Sequence, residues 1–195
     1  MSGKRQYPSI HVIGIAGVPE IGMGDRLGDI LSKAAQKQAT PLQENDVLVV
    51  TQKVISKSEG QVVSLKSVTP SKYARQIAAD SGKNPCLVEL ILRESRSIIR
   101  MDSKRGVIIT ETNHGFICAN AGIDSSNIGD DDRVSLLPKN PDMSAKRLMN
   151  YFKKTLDLMI ALTQVKLSVY PESRGNVSNL VFTLNGDLDL GSSPG

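Results

Sequence analysis

Apolar residues repeat along this chain with two different periods, which predict both strands and helices. Mostly apolar runs at residues 10–16 and 46–50 are typical of buried strands. Between them, helical spacing predicts a helix that begins near Asp25, whose carboxylate can cap it. The apolar face of that helix would consist of Leu27, Ile30, Leu31 and Ala34.

The middle of the chain carries start and stop signals for two more helices. A Pro-Ser pair at residues 70–71 opens the first, and Gly82 closes it in the left-handed conformation that ends many helices. An Asn-Pro pair at residues 84–85 opens the second, which the apolar spacing extends to about Ser97. The first of these helices is expected to bury Tyr73, Ala74, Ile77 and Ala78.

The second half of the chain predicts an antiparallel hairpin and a long helix. Apolar runs at residues 106–110 and 115–119 flank a polar turn. A helix capped by Asp142 would follow, and its apolar positions make it the longest of the chain. Since a hairpin excludes a purely parallel sheet, the expected fold class is a mixed α/β (α+β) fold. Further short strands are expected at residues 134–137, 165–170 and 180–184.

Composition narrows the class of protein and the ligands that it can take. The chain has 195 residues, of which 39% are hydrophobic and 4% aromatic. These values exclude a disordered chain and a membrane-spanning one, and the scarcity of aromatic residues disfavours base stacking. Lys and Arg outnumber Asp and Glu by 24 to 20, without the basic run typical of nucleic-acid binding. We therefore expect small anionic ligands, no nucleic acid and no membrane.

The common catalytic and nucleotide-binding motifs are absent from the sequence. It contains no P-loop, no dinucleotide-binding glycine motif, no zinc-protease motif and no serine nucleophile elbow. His11 falls in a predicted strand and His114 in a predicted turn, which favours structural roles for both. Cys86 and Cys118 have no neighbouring metal ligand, so we expect reduced thiols and a cytoplasmic location. The residues alone assign no catalytic group.

Three polar segments follow predicted strands, where α/β sheets gather their ligand contacts. The glycine-rich residues 17–24 either cradle an anion ahead of a helix or form a plain connecting turn. Gln52, Lys53 and Lys57 either bind phosphate oxygens or are solvated surface residues. Both segments are thus candidate contacts for a phosphorylated ligand.

The third segment, residues 120–127, contains the clearest candidate for a metal ligand. Asp124 offers a carboxylate oxygen to Mg²⁺ or Mn²⁺, and Asn127 adds an amide on the same glycine-bearing turn. An EF-hand loop that starts at Asp124 is excluded, because Ile128 and Ser135 stand where acidic ligands belong. The segment therefore offers a single carboxylate, that of Asp124, as a metal ligand.

Several of these segments belong to longer motifs that follow one another along residues 9–160. The motifs are Gly17-Val18-Pro19-Glu20-Ile21 with Gly24-Asp25, then VISKSEG from Val54 to Gly60, Leu87-Val88-Glu89 with Leu92-Arg93-Glu94-Ser95, HGFICANAGIDSSN from His114 to Asn127, and Leu136-Leu137-Pro138 with Pro141-Asp142 and Ser144-Ala145. In order and spacing they resemble the coenzyme F420-0:L-glutamate ligase (F420 gamma-glutamyl ligase) family.

The resemblance implies an enzyme that adds L-glutamate to coenzyme F420-0, with GTP as co-substrate, Mg²⁺ or Mn²⁺, and a monovalent cation. It also implies a two-domain α/β fold and a homodimer. Asp124 matches a metal ligand of the family. The positions that match the family's GTP contacts are Val18, Pro19, Glu20, Ile21, Gln52, Lys53, Lys57 and Asn127. The ligase interpretation requires Glu20, Lys57 and Asp124 to share one nucleotide.

The resemblance is lost after about Leu162. Gln164 stands where the family has an aspartate of a further metal motif, unless residues 172–175 are a displaced and altered version of that motif. We expect a family-like region over residues 9–162 and a divergent tail over residues 163–195, which leaves the family fold incomplete at its C-terminus. Two functions stay open: a glutamate ligase, or a non-catalytic fragment that still binds GTP and metal.

Overall fold

The computed structural model of the protein describes residues 11–125, 132–165 and 181–185. Helices and strands are interspersed along these residues, so the expected mixed α/β class is confirmed. The helices are α1 (Leu27–Lys37), α2 (Gln52–Ser58), α3 (Lys72–Ser81), α4 (Pro85–Arg93) and α5 (Pro141–Leu156). The strands are β1 (His11–Gly14), β2 (Val47–Thr51), β3 (Val62–Ser64), β4 (Ser95–Asp102), β5 (Val107–Thr112), β6 (Ile117–Ala119), β7 (Arg133–Ser135), β8 (Ala161–Val165) and β9 (Val181–Asn185).

The chain divides into two compact units, each with its own hydrophobic core. Unit 1 takes Met1–Ile21, Asp25–Ile55 and Asp142–Gly195, and unit 2 takes Gly22–Gly24 and Ser56–Pro141. Both units are discontinuous in sequence, and α2 contributes residues to each of them. The sequence boundary between residues 9–162 and a divergent tail stays a prediction.

Unit 1 is built on a four-stranded sheet with the order β1-β9-β2-β8. β2 lies inside this sheet, parallel to β8 and antiparallel to β9. Leu48 and Val50 of β2 pack in one core with Leu31 of α1 and Phe152 of α5. The strand predicted at residues 46–50 is confirmed, and its apolar run reflects burial on both faces of the sheet, since the successive residues Leu48, Val49 and Val50 are all buried.

Two expectations for unit 1 are wrong. β1 forms at the predicted place but is not buried, because it is the edge strand next to β9 and leaves Val12 59% exposed. The helix α1 begins at Leu27, so Arg26 rather than Asp25 occupies its N-cap position. Arg26 instead forms an ion pair of 2.8 Å with Asp29 in the first turn.

The last helix of unit 1, α5, is the longest in the described residues, as predicted. It begins at Pro141, so Asp142 lies in its first turn rather than at the cap, where its charge still favours the helix dipole. The ring of Tyr151 fills the space beside Gly28 of α1, where an added Cβ would lie 2.1 Å from a ring carbon. Its hydroxyl donates a hydrogen bond to Asp29, which raises the pKa of Tyr151. Gly28 thus permits the close approach of α1 and α5.

Asp46, just before β2, gives unit 1 a predicted pH dependence of stability. The residue is 3% exposed, and burial raises the pKa of its carboxyl above the ordinary value, against the opposing hydrogen bond of 2.9 Å from the Gln43 amide. A raised pKa in the folded state means that the folded protein binds the proton more tightly, so stability from this group falls as the pH rises through that pKa.

Asp46→Asn keeps the acceptor oxygen and removes the charge. Its melting temperature should exceed that of the wild type at pH 7, and the difference should shrink towards pH 3. A lower melting temperature at pH 7 would contradict this explanation.

Unit 2 combines a three-stranded sheet β4-β5-β6 with a two-stranded pair of β3 and β7. The predicted hairpin is confirmed, since β5 and β6 pair antiparallel with Thr110 opposite Cys118. α3 is confirmed with both of its signals: the Ser71 hydroxyl accepts a bond of 3.1 Å from the Ala74 amide, and Gly82 ends the helix at a φ of +66°. Helices α3 and α4 bury their apolar faces in the core of this unit.

Three expectations for unit 2 differ from the structure. The helix predicted to reach Ser97 ends at Arg93, because the following residues form β4 and pair with β5. Tyr73 does not join the apolar face of α3 and is 57% exposed. The polar segment after β2 forms the short helix α2, and no strand was expected at β3.

Candidate functional site

The predicted site residues fall in both units. Unit 1 holds the loop residues Val18, Pro19, Glu20 and Ile21 together with Gln52 and Lys53, and unit 2 holds Lys57 and Asp124. Asn127 lies outside the described residues. The sharing of one nucleotide by Glu20, Lys57 and Asp124 stays a prediction, and each unit is described on its own below.

The loop that follows β1 in unit 1 is held by a glutamine side chain. Gln38 accepts a hydrogen bond of 2.7 Å from the Ala16 amide and donates one of 2.8 Å to the Gly14 carbonyl. Ile21 is buried in the core, whereas Glu20 is exposed. The loop is thus fixed at both ends and presents its middle to solvent, as a ligand-binding loop requires. Gln38 carries no motif that sequence analysis could have recognised.

The carboxyl end of β2 places a second group of polar residues in unit 1. Thr51 and Gln52 are buried, and Lys53 is half-buried. β2 and β8 run parallel, with Thr51 opposite Val165, so their carboxyl ends lie at the same edge of the sheet. The Thr51 hydroxyl is buried without a hydrogen-bond partner among the described residues. Such a group costs about 1–3 kcal/mol of folding free energy.

Lys57, in the last turn of α2, is the most buried charged residue among the predicted contacts. It is only 4% exposed, which excludes the alternative of a solvated surface lysine. The neighbouring Ser56 hydroxyl donates to the Leu136 carbonyl at 2.7 Å, and its carbonyl accepts from the Gln61 amide at 2.8 Å. The Leu136 amide donates to the Gln61 carbonyl at 2.9 Å, which completes the link. The end of α2 is therefore bound to the chain that follows β7.

Asp124 belongs to the same set of hydrogen-bonded segments in unit 2, which we call the hydrogen-bonded layer: the end of α2, residues 61–62, residues 133–136 and Asp124. Its amide donates to the Ser135 carbonyl at 3.0 Å and its carbonyl accepts from the Ser135 amide at 2.8 Å. Ser135 also lies opposite Val62 in the β3–β7 pair. The Asp124 side chain is half-buried. Unit 2 thus joins the segments of Lys57 and Asp124 through one short series of backbone and serine hydrogen bonds.

The described residues of this layer provide only part of the coordination that a divalent ion needs. A half-buried carboxylate on a fixed backbone is a suitable hard oxygen ligand, so Asp124 could hold such an ion. No group of three or more His, Cys, Asp or Glu side chains that could hold a metal occurs in the described part of the chain. Asp124 alone would therefore need further oxygen ligands from substrate, water or residues beyond that part.

The turn before Asp124 holds an arrangement that sequence analysis missed. Asn120, Ala121 and Gly122 all have positive φ angles, of +51°, +53° and +73°. Non-glycine residues in this region cost roughly 1–3 kcal/mol each, so the surrounding packing must enforce the turn. The Asn120 side-chain oxygen is buried without a hydrogen-bond partner among the described residues.

The two histidines differ in their surroundings. His11 is exposed in β1. One ring nitrogen of His114, Nε2, lies 3.1 Å from the Lys139 carbonyl, which links the β5–β6 turn to the segment before α5. Its other nitrogen, Nδ1, is buried and without a partner in the described residues. A bond to a carbonyl requires a proton on Nε2, which agrees with the structural role expected for His114.

Gln164, which stands where an aspartate was expected, lies in β8 opposite Val50. The alternative position of that motif, residues 172–175, lies outside the described residues.

Within the described chain, none of the helices combines the length and apolar character needed to cross a bilayer.

Comparison with known proteins gives the following relatives. Residues 16–165 match the model of a family described as F420-0:Gamma-glutamyl ligase. The chain is 39% identical over 153 residues to the coenzyme F420:L-glutamate ligase of Methanothermobacter thermautotrophicus, covering 78% of this chain and 60% of that protein. It is 41% identical over 114 residues to the ligase of Methanocaldococcus jannaschii, covering 58% and 44%, and 38% identical over 139 residues to that of Methanopyrus kandleri, covering 71% and 52%. The chain thus spans about half the length of the curated relatives that it matches.

Proposed function

The chain belongs to the F420-0:gamma-glutamyl ligase family, and we propose that it adds L-glutamate to coenzyme F420-0 in a GTP-dependent reaction. The observation that carries this proposal is the hydrogen-bonded layer of unit 2, which joins a buried lysine to a half-buried aspartate. Those are the residue types that phosphoryl transfer requires: a fixed cation for phosphate oxygens and a hard oxygen ligand for a divalent ion.

The proposed chemistry has two steps. A carboxylate is a poor acyl donor, so the γ-phosphoryl group of GTP first passes to a carboxylate oxygen of the cofactor; the bond to the β-phosphate breaks and GDP leaves. The amine of glutamate then attacks the carbonyl carbon of the acyl phosphate, phosphate leaves with the former carboxylate oxygen, and the nitrogen loses a proton. The first step brings two anions together, which is unfavourable unless cations offset the repulsion.

The residues of this chain supply part of that compensation. Lys57 is proposed to bind a phosphate oxygen, where burial weakens competition from water and salt. In unit 1, the proposed nucleotide contacts are Gln52, Lys53 and the loop of Val18, Pro19, Glu20 and Ile21. Asn127 is proposed as a further nucleotide contact. Asp124 would hold Mg²⁺ or Mn²⁺, which neutralises phosphate charge when bound, and a monovalent cation is proposed as an additional cofactor.

A second candidate function is a non-catalytic module that binds GTP and metal. It is favoured by Gln164 in β8, where the ligase interpretation expects a carboxylate. The two functions share the binding step and differ only in turnover.

The experiment that separates them uses the 195-residue chain with GTP, Mn²⁺ and potassium chloride. Isothermal titration measures GTP binding, and mass spectrometry of a reaction with F420-0 and L-glutamate measures the gain of a glutamyl unit. Binding with a mass gain supports the ligase, and binding without one supports the module. Failure to bind GTP would overturn both.

We also propose that the chain forms a homodimer through the β4–β5–β6 sheet of unit 2, in the cytoplasm. This small sheet and the turn before β6 expose several large apolar side chains, and exposed apolar surface often marks an interaction site. They are Ile99, Val107, Phe116 and Ile117.

The charge substitution Ile117→Lys tests this interface, because Ile117 is 66% exposed and its replacement leaves the core untouched. We expect the molar mass from light scattering to fall from the dimer to the monomer value. Met159→Lys is the matched control, since Met159 is also exposed but lies in unit 1, and it should leave the mass unchanged. A wild-type monomer, or a dimeric Ile117→Lys variant, would contradict the proposal.

A further inference from the structure

The buried hydroxyl of Thr51 is the feature of unit 1 that packing leaves unexplained. Thr51 is 8% exposed, and its Oγ1 has no hydrogen-bond partner among the described residues. A valine has nearly the same shape without the hydroxyl, so the core of unit 1 would lose nothing by the exchange. A buried polar atom without a partner leaves a hydrogen bond unformed, and its place in the fold determines whether a ligand can complete that bond.

The position of Thr51 indicates what that partner is. Thr51 is the last residue of β2, at the edge where the carboxyl ends of β2 and β8 lie side by side. Ligands of α/β sheets bind at such edges. The next two residues, Gln52 and Lys53, are proposed nucleotide contacts, and both suit an anion. The phosphate oxygens of a nucleotide can only accept hydrogen bonds, and the Thr51 hydroxyl can donate one.

We infer that Thr51 is a further nucleotide-binding residue, whose hydroxyl donates a hydrogen bond to a phosphate oxygen of GTP. The inference rests on the proposed function, because it takes GTP as the ligand. It adds a residue that no sequence motif marked. The directional hydrogen bond from Thr51 would fix the position of the phosphate chain, while the ammonium group of Lys53 contributes positive charge.

The test compares Thr51→Val and Thr51→Ser with the wild type by isothermal titration with GTP and Mg²⁺. A hydrogen bond to a charged group predicts that Thr51→Val weakens GTP binding about ten- to a hundredfold. Thr51→Ser keeps the hydroxyl and should stay within about threefold of the wild type. Titration with guanosine, which has no phosphate, should give the same affinity for all three proteins.

Thr110→Val is the matched control. Thr110 is fully buried in β5 of unit 2, and its Oγ1 also lacks a partner among the described residues. Its replacement removes an equally buried hydroxyl, and GTP affinity should not change. The melting temperature of Thr51→Val without ligand should equal or exceed that of the wild type, which shows that the fold is intact.

The possible failures are distinct. If the wild type does not bind GTP, the proposed function and this inference both fall. If the wild type binds GTP and Thr51→Val binds it equally well, only the role of Thr51 falls, and its hydroxyl is satisfied by a structural water. A loss of affinity for guanosine as large as that for GTP would also overturn the phosphate contact.

Discussion

Asp124→Asn is expected to abolish metal-dependent glutamyl transfer and to leave the protein folded. The substitution keeps the size of the side chain and removes its charge, and a neutral amide is a much weaker ligand for Mg²⁺ or Mn²⁺ than a carboxylate. The fold should survive because Asp124 is held by its backbone, which exchanges two hydrogen bonds with Ser135. Mass spectrometry of the glutamylated product measures turnover, and a Mn²⁺ titration followed by electron paramagnetic resonance measures metal affinity.

Asp132→Asn is the matched control for Asp124→Asn. Asp132 also lies in unit 2, but its carboxylate forms a partly exposed ion pair of 2.6 Å with Lys66. Exposed ion pairs contribute roughly 0–1 kcal/mol, so this variant should keep both turnover and metal affinity. The assignment of Asp124 fails if Asp124→Asn binds Mn²⁺ as the wild type does, whether or not the wild type turns over.

Local sequence signals correctly predicted the elements whose bounds are set by residues close in sequence. α3 has its start and end where Ser71 and Gly82 indicated, because both caps are local hydrogen-bonding or backbone effects. The apolar run of β2 likewise predicted a buried strand, since only strands covered on two sides tolerate such a run. These predictions required no knowledge of distant parts of the chain.

The failures come from pairings between distant segments. Residues 94–97, which are all polar, carry no apolar period that separates a helix from a strand, and the pairing of β4 with β5 decides the outcome. β3 pairs with β7, and a strand of that length carries almost no periodic signal of its own. β1 was expected to be buried because its residues are apolar, but sheet order alone determines which strand lies at an edge.

The candidate site shows the same division. Sequence motifs made Lys57 and Asp124 candidate site residues, whereas the burial of Lys57 is visible only in the structure, where the end of α2 contacts the chain around Leu136. The Thr51 hydroxyl, which has no partner in the part of the chain that the structure describes, could not be foreseen, because a threonine at the end of a strand usually finds a partner or solvent. Chemistry that depends on residue type is readable from sequence, whereas chemistry that depends on burial requires the structure.

Lys57→Met is expected to weaken GTP binding by about 1.5–3 kcal/mol, or roughly ten- to a hundredfold in Kd. Methionine keeps the aliphatic stem and much of the volume of lysine, so the effect measures the loss of the ammonium group. Because Lys57 is only 4% exposed, salt screens its contact with phosphate weakly. The loss of affinity should therefore persist when the sodium chloride concentration rises from 0.05 to about 0.5 M.

Lys66→Met serves as the comparison for Lys57→Met, since Lys66 is an exposed lysine of the same unit that pairs with Asp132. It should change GTP affinity by less than about 0.5 kcal/mol. Stabilisation by a bound ligand rises with the logarithm of the ratio of ligand concentration to Kd, so the increase in melting temperature caused by GTP can be compared even where a variant alters the stability of the free protein. We expect a large increase for the wild type and for Lys66→Met, and a clearly smaller one for Lys57→Met at the same GTP concentration. An equal increase in all three proteins would show that the buried ammonium group holds the fold together and does not bind the nucleotide.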